Sequence, residues 1–518
     1  MKNLKIKILC LSLFGLLFVS CLDDLNTEPV VELTLEELLR KDPKAIDGIL
    51  SKMYGSFALS GPSGPGSKDI EGNDAGELAF LRGIINLQDF TADGMKNRWG
   101  DDGLDQLTTT SGWTAENKFF RYLYDRVYFT VGQTSNIVRI LDRDVEVPNE
   151  QQYVSELRFL RCLSYYYMID CFGKGVLATE NEFGSPTPAP QATRKELYDY
   201  VEKELLDIEG KISQTNTYGR ANKSVVRMLL AKLYLNAQVY TGTAQYEKCA
   251  VYTNKVITEG GYSLSPTFVK NFSGDNNTSP EFIFPLLADP QVSQSFGNTT
   301  YIVNGNLNNA TMNLATYGAT QGWGGHRATK AWYGLFGNLA TSTDDRAKLF
   351  WTTGHTYEMT DYKEWTNGYP SIKFRNSNST GPSTPTDFSG TDFPLFRLAD
   401  AYLMYAECAL RGASSATLPQ ALTYVNSVRT RANATPILTA QLNLNFLIDE
   451  RGRELNLEGH RRSDLIRFGL FTGGSYLWPW KGNAVNGTSI EEKYNLFPIP
   501  NSALRSNPNL TQNPLWIN

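Results

Sequence analysis

The chain has 518 residues, a formal net charge of −5, 20% charged and 41% hydrophobic residues, which is enough length for one large or two ordinary domains around a substantial core. No basic patch or stripe of the kind a nucleic-acid partner requires is evident. The three scattered histidines, His326, His355 and His460, form no H-E-x-x-H, which argues against metalloprotease chemistry.

The first seven residues carry three lysines, and an apolar run follows from Ile8 to Val19 before Ser20-Cys21. That order is a cleaved export signal, too short for a membrane-spanning helix, which needs about 20 residues. Cys21 after Ser20 resembles a bacterial lipobox, although Phe18 stands where that motif usually has leucine; the alternative is a secretory signal with an incidental cysteine. A lipobox cysteine becomes an acylated N-terminus, and several acyl chains give stable anchoring. Asp23 and Asp24 resemble the acidic export signal of surface-exposed lipoproteins. Cys162, Cys171, Cys249 and Cys408 then remain, without zinc-site spacing. Cys162, Cys249 and Cys408 fall on apolar faces of predicted helices, so buried free thiols are expected.

Helices dominate the first half. Thr34 to Glu37 is a capping box, and Asp42-Pro43 opens a helix with proline at its first position. Gly61 to Gly66 breaks the pattern into a loop. Apolar spacing predicts helices over 115–141 and 150–172, and Thr193 to Glu196 caps another through Ile212. Residues 223–240 and 246–257 form a helical pair, and 395–410 with 419–432 form a second. Small residues (Ala231, Ala237, Ala250; Ala401, Ala406, Ala421) stand where helices would approach closely, as in tetratricopeptide hairpins. Residues 261–393 interrupt this scaffold. They are rich in Gly, Asn, Thr and Ser, and so long a stretch is unlike a simple loop; short strands and ordered loops are expected. Helix is predicted again over 440–459, before a proline-punctuated tail.

Three stretches resemble the SusD/RagB family: Leu157-Arg-Phe-Leu-Arg through Gly173, Ile448-Asp-Glu-Arg-Gly-Arg-Glu-Leu through Gly469, and the tail Leu496-Phe-Pro-Ile-Pro500 with Asn507-Pro-Asn-Leu-Thr-Gln-Asn-Pro514. The resemblance covers nearly all the mature chain. It implies a mainly α fold, a tetratricopeptide-like helical scaffold with an irregular loop- and short-strand-rich subdomain. The division expected is 1–20 signal peptide, 21–260 N-terminal scaffold with glycan-site loops, 261–393 irregular glycan-site subdomain, and 394–518 C-terminal scaffold and tail. It also implies glycan binding without catalysis, over a SusC-like TonB-dependent transporter of the outer membrane. The charges Glu450, Arg451, Arg453, Glu454, Glu458, Arg461, Arg462 and Asp464 are read as a structural network pairing at i, i+3 and i+4 along one helix.

Within the family the chain resembles a starch-binding branch at Asp74, Arg82 and Trp99-Gly-Asp-Asp102, and again at Tyr301 and Gln321-Gly-Trp-Gly-Gly-His-Arg327. Carried over, Trp99, Trp323 and Tyr301 would form an aromatic arc for the curved face of starch or malto-oligosaccharides. Asp74, Arg82 and Asp102 would meet sugar hydroxyls. Asp102 replaces an amide of that branch and so can only accept; Tyr317 rivals Tyr301 for the third ring. Independently of the resemblance, Trp99 and Trp323 are flanked by glycines and charged or polar residues, company that places tryptophan at a surface. Trp332, Trp351, Trp478, Trp480 and Trp516 read as packing or tail docking. Rival functions are a surface glycoside hydrolase using Asp74 and Asp102 as its two carboxylates, the same delivery role for another glycan, and a transporter-docking lipoprotein with little glycan affinity. No cofactor is required; Asp275-Asn-Asn-Thr offers oxygen ligands suited to calcium, with a polar turn as the alternative.

Overall fold

A computed structural model describes residues 33–517; the signal segment and Cys21 lie outside the described residues. The protein is mainly helical, with three two-stranded antiparallel sheets. Among the described residues no helix is long and apolar enough to cross a membrane.

The entry helices form as their sequence signals dictate. Thr34 and Glu37 close a reciprocal capping box at the start of Leu35–Lys41, and Asp42-Pro43 opens a short 3₁₀ turn that continues as Ile46–Gly55. The scaffold proper comprises α1 (Lys118–Arg143), α2 (Glu150–Cys171), α3 (Arg194–Glu209), α4 (Lys223–Leu235), α5 (Tyr246–Glu259), α6 (Leu398–Leu410), α7 (Leu418–Arg431), α8 (Leu444–Leu455) and α9 (Arg461–Arg467). Each of α1 to α5 packs on the next, and α5 packs against α6, although residues 260–397 separate them in the chain. The two helical pairs are therefore neighbours in space. Ala231, Ala237, Ala250, Ala401, Ala406 and Ala421 are fully buried, so the helices approach as small side chains permit.

Several boundaries differ from the periodicity, each for a local reason. Asn117 accepts from the Phe119 amide at 2.9 Å and starts α1 three residues later than the apolar pattern does. The helix expected over 223–240 breaks at Asn236, whose side chain donates to the Lys232 carbonyl at 3.0 Å. Residues 395–397, expected to open α6, instead end a strand, Phe393–Arg397, paired with Phe282–Leu286 and buried throughout. A segment buried on both faces carries no period that distinguishes helix from strand. The same holds for Thr299–Asn306, an entirely buried helix within the irregular region.

Charge holds the scaffold to that region. Glu454 accepts from Arg346 at 2.8 Å, from Arg397 at 2.6 Å and from Arg431. Arg397 also reaches Glu281 at 2.8 Å and Glu458 at 2.6 Å. Lys373 binds Glu458 and donates to the Glu454 and Asn456 carbonyls at 3.1 and 2.8 Å. The expected network exists, but it is not laid along one helix. The chain breaks between α8 and α9, and most partners come from residues 93, 281, 344–346, 373, 397–400 and 429–431. Burial opposes the charge of Glu454, yet three guanidiniums hold its carboxyl well below the usual range. His460 is pushed down to about 3 by burial and the adjacent Lys232 ammonium, so its neutral ring can accept from Lys232 Nζ, 3.2 Å from Nδ1.

Removing one partner of a buried ion cluster leaves uncompensated charge, so Glu454→Gln is expected to lower unfolding free energy by about 3–5 kcal/mol, measured by urea denaturation. Cys162, Cys171, Cys249 and Cys408 are free and buried. A reductant is therefore expected to leave the melting temperature unchanged, whereas loss of a native disulfide would cost about 2–5 kcal/mol.

Candidate functional site: an aromatic ribbon

The site residues are far apart in sequence and are brought together by one short ladder. Met95–Asn97 (β1) pairs antiparallel with His326–Ala328, with Asn97 opposite His326. Arg98 N continues the ladder to the Gly325 carbonyl at 3.0 Å. On its other side the 323–325 backbone is tied to the helix Thr299–Asn306 and its exit: the amides of Trp323, Gly324 and Gly325 donate to the carbonyls of Asn304, Leu307 and Gly305 at 2.7–2.8 Å. Trp99 and Trp323 thus become neighbours, ring centroids 6.2 Å apart and planes at 53°, with Trp99 Nε1 3.4 Å from the Trp323 carbonyl.

Glycine makes the seating possible. A Cβ at Gly325 would lie 2.3 Å from Trp99 Cε2, and one at Gly305 would lie 2.1 Å from His326 Cε1. The Trp99 indole rests on this floor, 5.0 Å from the His326 ring and 5.9 Å from Tyr301. His326 is buried among Phe90, Trp99 and Tyr301, and burial keeps its imidazole well below the ordinary value and hence neutral. Below it the helix Phe80–Ile84 widens into a π-helical turn, Ile85–Phe90, buried at every position. Such turns re-aim side chains, commonly at functional places. Here Asn86 accepts from the Tyr301 hydroxyl at 2.6 Å, and Asp89 accepts from the Leu457 and Gly459 amides at 3.0 and 2.9 Å. The floor of the site is thereby fixed to the break between α8 and α9.

Tyr301 does not fill the role expected of it. It has 0% exposure, its hydroxyl is bonded within the protein, and burial raises it to about 12. A ring with no exposed face cannot stack on a sugar; Tyr301 supports Trp99 instead. Tyr317 is buried as well, at 6%. The ring that continues the surface is Phe296, 36% exposed, 6.3 Å from Trp323, and beyond it lies the half-buried Phe388 at 5.3 Å. Successive planes are inclined by 53°, 55° and 47°, in a ribbon of four neighbouring rings, Trp99, Trp323, Phe296 and Phe388. The signal was present in the sequence. Phe296 stands between Ser295 and Gly297 and Phe388 between Asp387 and Ser389, polar or glycine neighbours like those of the two tryptophans, whereas Tyr301 is followed by Ile302-Val303.

Polar groups gather beside the rings. Asp74 is exposed and accepts from the Gly76 amide at 2.8 Å, while Arg82 Nη1 donates to the Gly76 carbonyl at 2.8 Å. A Cβ at Gly76 would be 4.0 Å from Phe296 Cβ, which sets Asp74 and Arg82 next to that ring. The Arg82 guanidinium also covers Tyr301 at 4.5 Å and pairs with Glu77 at 3.4 Å. Asp102 stands exposed three residues after Trp99. Gln321 accepts from Trp323 Nε1 at 3.2 Å, and Asp387 accepts from Thr320 Oγ1 at the far end. An arrangement of flat apolar faces rimmed by hydrogen-bonding groups suits a ligand with C–H faces and hydroxyl edges. Elsewhere, Asp275 is occupied by Lys270 Nζ and by the Ser379 amide and hydroxyl, each at 2.8 Å. No cluster of three or more His, Cys, Asp or Glu able to hold a metal occurs among the described residues.

The sequence profile of the SusD family matches residues 238–516. The starch-binding protein SusD of Bacteroides thetaiotaomicron is 32% identical over 548 residues, covering 95% of each chain. Among solved structures, a SusD superfamily protein from Parabacteroides distasonis superposes with a TM-score of 0.71 at 20% identity, covering 92% of this chain and 99% of its own. The surface glycan-binding protein A of B. thetaiotaomicron, solved in complex with laminarihexaose, gives 0.68 at 19% identity, covering 91% and 99%.

Core and surface rings should separate on mutation. Tyr301→Ala is expected to cost about 3–5 kcal/mol of stability, as for other buried aromatic truncations, whereas Phe296→Ala is expected to cost less than about 1 kcal/mol. Denaturant titration of the two variants measures both.

Proposed function

The chain belongs to the SusD family, and from that premise we propose that it captures starch or malto-oligosaccharides at the cell surface and passes them to a SusC-like TonB-dependent outer-membrane transporter. The observation that carries the glycan is the ribbon Trp99, Trp323, Phe296 and Phe388. Each ring can bury the C–H face of a pyranose while its hydroxyls reach Asp74, Asp102 and Gln321 or remain in water; Arg82, expected among these contacts, is buried against Tyr301 and bonded to Glu77 and the Gly76 carbonyl, and so holds the loop that carries Asp74. The successive tilts favour a chain that itself curves, as α-1,4-linked glucans do. The identity of 32% across 95% of a relative named starch-binding supports the same choice.

The reading is of binding without catalysis, in keeping with the family. Asp74 and Asp102, both exposed, serve it as hydroxyl acceptors rather than as an acid and its partner. We place the protein on the outer membrane through acylation at Cys21, because its lipobox-like context supplies an anchor that the described helices do not. Calcium is not required by this mode of recognition.

Calorimetry with a panel of oligosaccharides tests the proposal. Trp99→Ala and Trp323→Ala are each expected to weaken maltoheptaose binding at least about tenfold, the loss typical of a central buried aromatic anchor, with a smaller loss of stability than Tyr301→Ala. A preformed curved site spares ordering costs only for a ligand that matches it, so maltoheptaose should bind more tightly than cellohexaose. Tighter binding of laminarihexaose than of maltoheptaose would transfer the role to another glucan, and absence of binding to any of the three would leave a docking lipoprotein.

A further inference from the structure

We propose that the groove between α1 and the C-terminal tail is a second carbohydrate site, for a short neutral oligosaccharide, distinct from the aromatic ribbon; the ligand class rests on the glycan-binding reading above. The groove encloses about 750 Å³ and shares no lining residue with the ribbon, and that volume lies within the range of about 300–1,000 Å³ typical of small-ligand sites. One wall is a face of α1 carrying Arg121, Tyr124, Tyr128 and Phe129. The other is the tail helix Asn501–Ser506 and the residues after it.

Two polar atoms in these walls are buried and unpartnered among the described residues, Arg121 Nε and Ser502 Oγ, while the Tyr124 hydroxyl is directed at that of Tyr128. Buried polar groups normally find partners. One atom can only donate and the other can donate or accept, a set that sugar hydroxyls satisfy and an apolar ligand does not. Flat faces lie beside them on Tyr128 and Phe129, both half-buried. The Tyr128 hydroxyl is committed to the Val176 carbonyl at 3.0 Å, and the buried Tyr124 ring backs Tyr128 at 4.7 Å and 45°.

The charges at the groove are balanced. Asp69 is spent on Arg126 at 2.7 Å and Glu71 is paired with Lys68 at 3.5 Å. Asp125 accepts from Asn73 at 3.0 Å and is raised by burial, with the Arg121 guanidinium opposing that rise. Such a lining suits a neutral ligand and leaves acceptors for hydroxyls. The tail wall is firmly held: Asn507 donates to the Ala189 carbonyl at 3.1 Å and Asn509 to that of Pro188 at 2.9 Å. The Asn507-Pro-Asn-Leu segment, which the ribbon does not use, therefore has a positioning role here.

Maltotriose is the probe, with hydrogen exchange and calorimetry on the full chain as readouts. Slower exchange is expected over 119–131 and 500–510 in addition to the ribbon segments. A Trp99→Ala/Trp323→Ala variant should keep the groove protection, and adding Phe129→Ala should reduce the remaining affinity about tenfold, with a smaller loss for Ser502→Ala, which deletes only the hydroxyl. Protection confined to 95–99 and 320–326 in the unmutated protein would overturn the second site while leaving the ribbon intact. Protection at the groove alone would uphold the second site and remove the ribbon reading. No protection at either would sink both.

Discussion

Glu454 and its three guanidinium partners are the constraint on which the rest of the structure depends. Arg346 comes from the irregular region, Arg397 from the end of the strand that leads into α6, and Arg431 from the last turn of α7. Their convergence on one buried carboxylate of α8 fixes where the irregular segment begins and ends relative to the helices. Desolvating so many charges is costly, and a well-packed apolar cluster could be as stable. What charge adds is direction: Arg397 must meet Glu281, Glu454 and Glu458 at once, and a shifted register would leave ions buried without partners.

From this hub the order passes to the ligand-facing surface through few steps. Glu458 and Lys373 hold the backbone where α8 ends. The Leu457 and Gly459 amides there are bound by Asp89 of the π-helical turn, whose burial raises that carboxyl to about 7 against the pull of these two hydrogen bonds. Three residues earlier in the same turn, Asn86 holds Tyr301, and Tyr301 with His326 supports Trp99. A ring carried on irregular backbone is thus as firmly placed as one on a helix.

The legible part of the chain was the part whose determinants are local. Capping boxes at Thr34 and Thr193 and small residues at helix contacts announced themselves within a few positions, because the groups that satisfy a helix end are its own neighbours. The strand Phe393–Arg397 and the helix Thr299–Asn306 were not legible, since burial on all sides erases the period that separates the two conformations. The ion network was recognised as structural but assigned to i, i+3 and i+4 neighbours. Only pairs such as Arg453 with Glu450 are of that kind; a sequence shows the charges but not which distant segment answers them.

The aromatic site shows where a consistent physical criterion does better than positional resemblance. Trp99 and Trp323 were singled out by polar and glycine neighbours, and both lie half-buried on one surface. Tyr301 was placed by spacing against its apolar context, and it is a floor residue. Phe296 and Phe388 also have polar or glycine neighbours and continue the same chain of rings. Phenylalanine lacks a polar handle, yet a pyranose face asks only for a flat apolar partner, so Phe suffices wherever neighbouring residues supply the hydrogen bonds. Beside Phe296 stands the exposed Asp74, on a loop that the Arg82 guanidinium holds at the Gly76 carbonyl. That division of labour, flat faces from rings and direction from a separately anchored loop, lets each be varied without disturbing the other. It also explains why the rings and their polar partners come from segments with no sequence relation to one another.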